Sequence, residues 1–501
     1  MASEIAKLAA LVLTNTVRVD DYLQKNGLPS PSFHEDGPVD LKLSAEIEAA
    51  RVVALEASLR LNDLLRGPIE LVRPTVNAVS LEAIYKYDIA SKIPIHGEIS
   101  VVELAKLCDI CEPDLRRILR FAIIHHRIFQ EPRKGIIAHS AASRRIVEDS
   151  ATRDGLGLQF ADGWQSFART VEAMEKWKEQ EPTKTGFALA HNTDKSVFEY
   201  LEESPAKAKR FAGAMSSFTT YKGHGPEFLV RGFPWASLGS KTVVDVGGSE
   251  GKYSIALAQS FPDLKFIIQD LPAVIRAVDA KRPVPSELVD RVTFMAHDMF
   301  KEQSVSADIY LYRWVFHDWP DAYVVKILRQ LIPALKPGAR VIINDTILPE
   351  PNTLSELQER KIRALDMVML SFFNSRERER DDWERIFQEV DKRFRFVDAW
   401  VPEGSALGII EAVWEAETVN GVNGVSEVNK AKEVIEFKEV DGVNEVSEMN
   451  KAKVVIEFKE VDVVNEISEM NKAKEVIEFK EVDGVNEINE VREVNGLSDR
   501  I

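Results

Sequence analysis

Residues 243–251 read VVDVGGSEG. Two β-branched residues lead into Asp245, then come Gly247, Gly248 and Gly251, and residues 253–261 (YSIALAQSF) carry apolar groups at helical spacing. The stretch predicts a strand, a tight glycine turn and a helix. Glycine admits positive φ and lets a ligand approach bare backbone, and the first helical turn presents unpaired N–H groups to it. A second apolar run, residues 266–269, ends in Asp270, nineteen residues after Gly251. An acid at the tip of the second strand is where a doubly wound sheet holds a pair of ribose hydroxyls. The stretch therefore reads as a nucleoside-cofactor site, against the plainer alternative of a strand–helix turn that binds nothing.

The glycine spacing selects among cofactors. A dinucleotide fingerprint is G-x-G-x-x-G, whereas this chain has G-G-x-x-G with Ser249 and Glu250 inside the turn. A negative Glu250 suits a pyrophosphate poorly. S-adenosyl-L-methionine has no phosphate and carries a cationic sulfonium, which an acidic surround favours. A nicotinamide-dependent dehydrogenase is discounted on the same ground.

The chain has 501 residues, a hydrophobic content of 45% and a formal net charge of −17. That length predicts two or three domains, and the acid excess argues against a general nucleic-acid binder. Residues 423–501 hold 20 acids and 11 bases, more than half of the imbalance. The two cysteines, Cys108 and Cys111, form one C-x-x-C in a helical pattern and read as packing thiols, not as a redox pair or half of a zinc site. The apolar run at residues 8–13, with Glu4 ahead of it, is too short for a secretion signal. No run nears the ~18 apolar residues of a membrane span. The expectation is a soluble cytoplasmic protein with no membrane partner.

In chain order, residues 1–40 read as a helical segment with a polar break at 27–38. Ser44 is placed to cap a long amphipathic helix over 45–65, followed by Gly67-Pro68 and further apolar helical stretches through Ile93. Residues 97–145 give helix, turn, helix and hairpin, the outline of a winged helix, inside a domain spanning 41–150. Arg116, Arg117, Arg120, Arg133 and Lys134 lend it positive charge. A DNA-binding regulator with a ligand-sensing second domain is thus one reading; packing or dimerisation is the favoured use. Residues 151–240 read mostly helical, and Trp164, Phe167, Trp177, Phe187, Met215 and Phe218 serve there as core or as walls of a substrate pocket. Residues 241–415 alternate strand and helix, with strands at 242–246, 265–269, 292–296, 308–315, 339–345 and near 394–400 and 407–414. The alternation predicts a parallel sheet with helices on both faces, a doubly wound α/β domain. Ligands then sit at the carboxyl ends of the strands, where Asp298, His317 and Asp345 join Gly247 and Asp270 at one rim.

At RWVFHDWPD (residues 313–321) the chain resembles the plant- and fungal-type small-molecule O-methyltransferases, the caffeate-like family. VVDVGGSEG, IIQDLPAVI, HDMF, YRWVFHDWPD, LKPGARVIINDTILPEP, LDMVML and RERERDDW follow in that family's order, and the resemblance covers roughly residues 40–415. It implies a class I, Rossmann-like methyltransferase domain behind a winged-helix dimerisation domain, S-adenosyl-L-methionine as cofactor, an aromatic hydroxyl as methyl acceptor and a homodimer. Residue by residue, it implies that Asp245, Gly247 and Gly251 form the cofactor turn, that Asp270 holds the ribose, that Asp298 and Met299 flank the adenine, and that Arg313 is the basic residue near the cofactor. His317 matches the catalytic base, Asp345 a supporting acid, and Glu377 the second supporting acid, with Glu379 as the alternative. The chemistry is coherent: a phenol, with pKa ~10, attacks a methyl sulfonium as an imidazole accepts its proton, and an acid on the far ring nitrogen fixes the tautomer. No metal is required, and no His/Asp cluster with metal spacing stands out.

Beyond residue 416 the character changes. Asn423, Asn444 and Asn465 each begin a near-copy of a 21-residue unit, and a partial copy begins at Asn486. Every third residue is apolar, a period that fits neither a helix nor a strand. The expectation is a duplicated, largely disordered or partly helical appendage with no chemistry of its own, a self-associating solenoid being the minor alternative.

Overall fold

The computed structural model describes residues 2–74, 77–218, 221–281 and 284–416. The repeat segment, residues 417–501, lies outside the described residues.

Helix α1 (Glu4–Lys25) packs on α2 (Ala45–Leu71), burying Val19, Leu23 and Ala50. The Ser44 hydroxyl accepts the Ile47 N–H and caps α2. The helix runs past residue 65 to Leu71, and Gly67-Pro68 marks a kink within it, with Gly67 at φ 70° and ψ 173°. Helices α3 (Val79–Lys86), α4 (Val101–Cys108) and α5 (Glu112–His126) surround a small sheet of β1 (Glu98–Ser100), β2 (Gln130–Arg133) and β3 (Ile136–Ala138), in the order β1-β3-β2. Leu104, Leu115, Leu119, Phe129 and Ile137 fill the centre. The winged-helix outline thus acquires a third strand that the sequence reading did not include. Cys108 is buried as expected, but Cys111 is exposed just ahead of α5; it does not act as a packing thiol. Four of the five cationic groups in this module meet acids: Arg116 pairs with Glu112, Arg117 with Asp114, Arg120 with Glu131 and Arg133 with Glu98.

A helical stretch follows: α6 (Ala141–Glu148), α7 (Ser150–Gly157), a π turn (Leu158–Gly163), α8 (Trp164–Lys176), α9 (Gly186–His191), α10 (Val197–Glu202), α11 (Pro205–Phe218) and α12 (Pro226–Gly232). Of its six singled-out side chains only Phe187 is buried; Trp164, Phe167, Trp177, Met215 and Phe218 are half-buried.

The second sheet contains β4 (Thr242–Val246), β5 (Lys265–Asp270), β6 (Val292–Ala296), β7 (Ile309–Arg313), β8 (Arg340–Asn344), β9 (Phe394–Trp400) and β10 (Ile409–Trp414). The helices among these strands are α13 (Lys252–Ser260), α14 (Pro272–Lys281), α15 (Asp321–Leu331), α16 (Glu356–Phe373) and α17 (Arg380–Val390). The strand order is β6-β5-β4-β7-β8-β10-β9. Strand residues alternate between two cores. Val244, Val246, Tyr310, Tyr312, Val341 and Ile343 pack with α15 and α17; Val243, Ile309, Leu311 and Ile342 pack with α12 and α13. Burial on both faces explains why these strands read as continuous apolar runs.

The wholly parallel sheet expected from the alternation needs correction. Strands β4 to β8 pair in parallel, but β10 runs antiparallel to both β8 and β9. No helix separates β9 from β10, and so short a connection can only reverse the chain. Strand β4 has β5 on one side and β7 on the other, so the winding reverses there. That is the switch point at which a crevice opens at the carboxyl ends of the strands.

Candidate active site

The turn after β4 is held in conformations that favour glycine. Gly247 and Gly251 have φ of 77° and 73°, and Ser249 between them has φ of 50°. A Cβ on Gly247 would lie 2.9 Å from Val315 Cγ2, and one on Gly251 would lie 2.5 Å from Ile268 Cδ1. The Gly247 and Gly248 N–H groups both donate to the Gln269 carbonyl, at 2.8 and 3.1 Å, locking the turn to the end of β5. Asp270 continues that contact. One carboxylate oxygen accepts the Ser249 N–H at 2.9 Å and the other the Leu271 N–H at 2.7 Å. A carboxylate offers about four acceptor sites, so capacity remains for hydroxyls. Burial pushes the Asp270 pKa upward.

Asp245 lies beneath the turn. Its carboxylate accepts the Ser254 hydroxyl at 2.6 Å, and burial raises its pKa to about 6. Beyond β6, Asp298 accepts the Phe300 N–H at 3.0 Å, and half-buried Met299 packs on the core. At the end of β7, the Arg313 guanidinium lies 3.5 Å from the centroid of the Tyr253 ring, and its Nη2 donates to the His224 carbonyl at 3.4 Å. Its Nε is buried without a hydrogen-bond partner.

Trp314 follows with φ of 52°, an unusual conformation for a bulky residue. It turns the chain into a short 3-10 segment, Phe316–Asp318, that carries His317. The His317 ring stacks on Trp314, with centroids 5.8 Å apart and planes at 13°. Its Nδ1 lies 2.9 Å from Glu377 Oε1, and its Nε2 lies 3.6 Å from Asp318 Oδ1. Burial opposes the charged imidazolium, but Asp318, Glu377 and Asp345 outweigh it and raise the His317 pKa to about 10. Burial also raises Asp318, to about 7, and Asp345. Both Asp345 carboxylate oxygens are buried without a hydrogen-bond partner. No hydrogen bond therefore joins its carboxylate to His317. Glu379 is exposed and forms a capping box with Asp382 at the start of α17, so Glu377 is the carboxylate that meets the histidine.

The strand ends thus bring the glycine turn, Asp270, Arg313, His317 and Asp345 to one region, and the segment between α16 and α17 adds Glu377. Three further participants escaped the sequence reading. Tyr253 faces Arg313. His224 accepts the Tyr253 hydroxyl at 2.7 Å through its carbonyl, and its ring lies 5.2 Å from Trp314. Asp318 sits beside Nε2. Only Asp318 carried a signal, its adjacency to His317; the His224 loop has no motif. A line of aromatic rings leads away from Trp319, through Phe198 at 5.7 Å to Phe373 at 5.6 Å. The expectation that no metal-spaced cluster exists needs correction as well. His34, Glu35 and Asp36 offer ligand atoms within 4.8 Å of one another, on a loop where His34 bridges to Ser140.

An O-methyltransferase domain family matches residues 169–391. The grayanic acid biosynthesis cluster O-methyltransferase of Cladonia grayi is 78% identical over 417 residues, which are 83% of this chain and 89% of that protein. The chain belongs to the O-methyltransferases of fungal secondary metabolism. O-methyltransferase pyvH of Aspergillus violaceofuscus is 45% identical, over 83% of this chain and 99% of that one. Among solved structures, OxaC shares the fold with a TM-score of 0.65 at 21% identity, covering 82% of this chain and 99% of its own. The methyl donor of an O-methyltransferase of this family is S-adenosyl-L-methionine, and the residues here fit it: two glycines where a Cβ would clash, an acid at the tip of β5 with acceptor capacity left, and acidic groups suited to a sulfonium. Among the described residues no helix is long and apolar enough to cross a membrane.

Proposed function

We propose that this O-methyltransferase methylates a phenolic hydroxyl of an aromatic small molecule, with His317 as general base. The reading is carried by the 2.9 Å contact between His317 Nδ1 and Glu377, beside a turn suited to a nucleoside cofactor. Asp245, Gly247 and Gly251 would hold the cofactor at the turn, Asp270 would hold its ribose, Asp298 and Met299 would flank its adenine, and Arg313 would border it. S-adenosyl-L-methionine supplies a methyl group made electrophilic by its sulfonium.

The chain's own part is to take the proton. Glu377 accepts the Nδ1 hydrogen and leaves the Nε2 lone pair for the phenol. An ordinary imidazole is ~3.5 pKa units weaker as a base than a phenolate, an uphill transfer of about 5 kcal/mol. The carboxylates around it raise the His317 pKa and so reduce that cost, in the fraction of molecules whose imidazole is unprotonated. Asp345 adds negative charge that stabilises the imidazolium as it forms. A bound cation lowers the histidine pKa, so at saturating S-adenosyl-L-methionine the acid limb of kcat/KM for the phenol falls between the ordinary 6.5 and about 10. The rings from Trp319 to Phe373 support a flat aromatic acceptor.

The homodimer belongs to the same proposal: α1 and α2 expose Leu11, Leu13, Val17, Leu64, Leu65 and Ile69, apolar side chains for a second copy to cover, and sedimentation equilibrium tests it. The ion-paired arginines of the winged module support a role without nucleic acid. Incubation with S-adenosyl-L-methionine and a panel of phenols, read by mass spectrometry, tests the reaction. Methylated phenols support the reading, and transfer to amines or carboxylates alone refutes it.

A further inference from the structure

We infer that Arg378 is a positioning residue that clamps the turn bearing His317, an inference that rests on His317 being the base. The Arg378 side chain is buried, with 1% exposure, and makes three directed contacts. Its Nη1 donates to the Phe316 carbonyl at 2.9 Å, its Nη2 to the Trp319 carbonyl at 2.6 Å, and its Nε to Asp321 Oδ1 at 2.9 Å. The two carbonyls lie on either side of His317 and Asp318. One planar guanidinium therefore spans the segment that presents the base, and its fixed fork matches two carbonyls and a carboxylate as an ammonium cannot.

The backbone of Arg378 is fixed from the other direction. It forms a parallel bridge with Ile347, and its carbonyl accepts the Leu348 N–H at 2.9 Å. Residues 347 and 348 continue the chain that leaves β8 through Asp345. The neighbouring Glu377 is tied through its N–H to Asp366 Oδ1 at 2.8 Å. One residue thus joins the segments that carry His317, Asp345 and Glu377.

Its counter-charge is shared. Asp321 meets Arg378, Arg376 and Arg385. Although burial opposes it, these arginines hold the Asp321 carboxyl well below the usual range. The ring of Trp383 lies 5.2 Å from the Arg378 guanidinium. The strained Trp314 backbone gives the turn a reason to relax when the clamp is lost.

The test uses the full-length enzyme carrying Arg378→Lys, Arg378→Ala or Asp321→Asn, beside His317→Ala. A base displaced by about an ångström loses up to about a hundredfold in rate. Arg378→Lys is therefore expected to lower kcat roughly tenfold to a hundredfold. Calorimetric affinity for S-adenosyl-L-methionine should stay at the wild-type value. The acid limb of the pH profile should move toward 6.5, the ordinary imidazole value, as His317 parts from Glu377. Asp321→Asn should act in the same direction, and millimolar guanidinium should restore rate to Arg378→Ala. Wild-type kcat and an unmoved limb in Arg378→Lys overturn the inference, as does loss of cofactor affinity in parallel with rate, which marks a merely structural role. If His317→Ala is inactive while Arg378→Lys behaves as wild type, the clamp alone fails; if His317→Ala keeps full turnover, the base and the clamp fall together.

Discussion

Replacing Glu377 by glutamine tests the pairing that defines the base. The substitution keeps the size of the side chain and an oxygen that can accept from Nδ1, and it removes the charge 2.9 Å from the imidazole. A hydrogen bond to a charged partner contributes about 1.5–3 kcal/mol. At 1.36 kcal/mol per pKa unit, losing that amount lowers the His317 pKa by about one to two units. Asp318 and Asp345 remain near the ring, so the value stays above that of a free imidazole. The same energy, lost from the transition state in which the imidazolium forms, lowers kcat roughly tenfold to a hundredfold. The assay is kcat against pH at saturating S-adenosyl-L-methionine, with cofactor affinity measured by calorimetry. The plateau should fall, the acid limb should move to lower pH, and cofactor affinity should hold, since Glu377 lies on the histidine and not on the glycine turn. A Glu377→Gln enzyme with the wild-type plateau and the wild-type limb refutes the reasoning.

Other expectations follow from single contacts. Gly251→Ala places a Cβ 2.5 Å from Ile268 in a residue with φ of 73°; the backbone strain of about 1–2 kcal/mol and overpacking of about 1–3 kcal/mol should appear in urea unfolding, and an unchanged midpoint contradicts the turn geometry. Asp245 has its pKa raised from 3.8 to about 6 in the fold, so its ionisation weakens the native state as pH rises from about 4 through 6. Asp245→Asn should therefore gain on wild type across that window, by up to about 3 kcal/mol, and equal stability differences at pH 4 and pH 8 would falsify this. Because Arg116, Arg117, Arg120 and Arg133 are ion-paired, no DNA should be retarded in a low-salt mobility shift, where phosphate contacts are strongest; a salt-sensitive shift restores the regulator reading.

Much of the architecture was legible from local pattern. The β4 bounds, Thr242–Val246, match the expected strand because β-branched residues end at a glycine turn, and Ser44 and Ser100 cap the helices they precede. The reversal at β10 was missed although its signal was present: about six residues between two expected strands leave no room for the helix that a parallel crossover needs. The choice between Glu377 and Glu379 was not legible, since two glutamates two residues apart look alike until one caps α17 and the other points at His317. Tyr253 and His224 were missed because their roles arise from a loop crossing the strand ends, which no periodicity reports. Arg378 was hidden in RERERDDW, where a run of alternating charges reads as a solvated face and gives no sign that one guanidinium is buried.

The most direct test of the account is S-adenosyl-L-methionine calorimetry on wild type and His317→Ala, paired with turnover on the phenol panel. Both proteins should bind the cofactor equally and only wild type should methylate. Methylation by His317→Ala at the wild-type rate would contradict the assignment of the base, and failure of wild type to bind S-adenosyl-L-methionine would contradict the reading of the glycine turn.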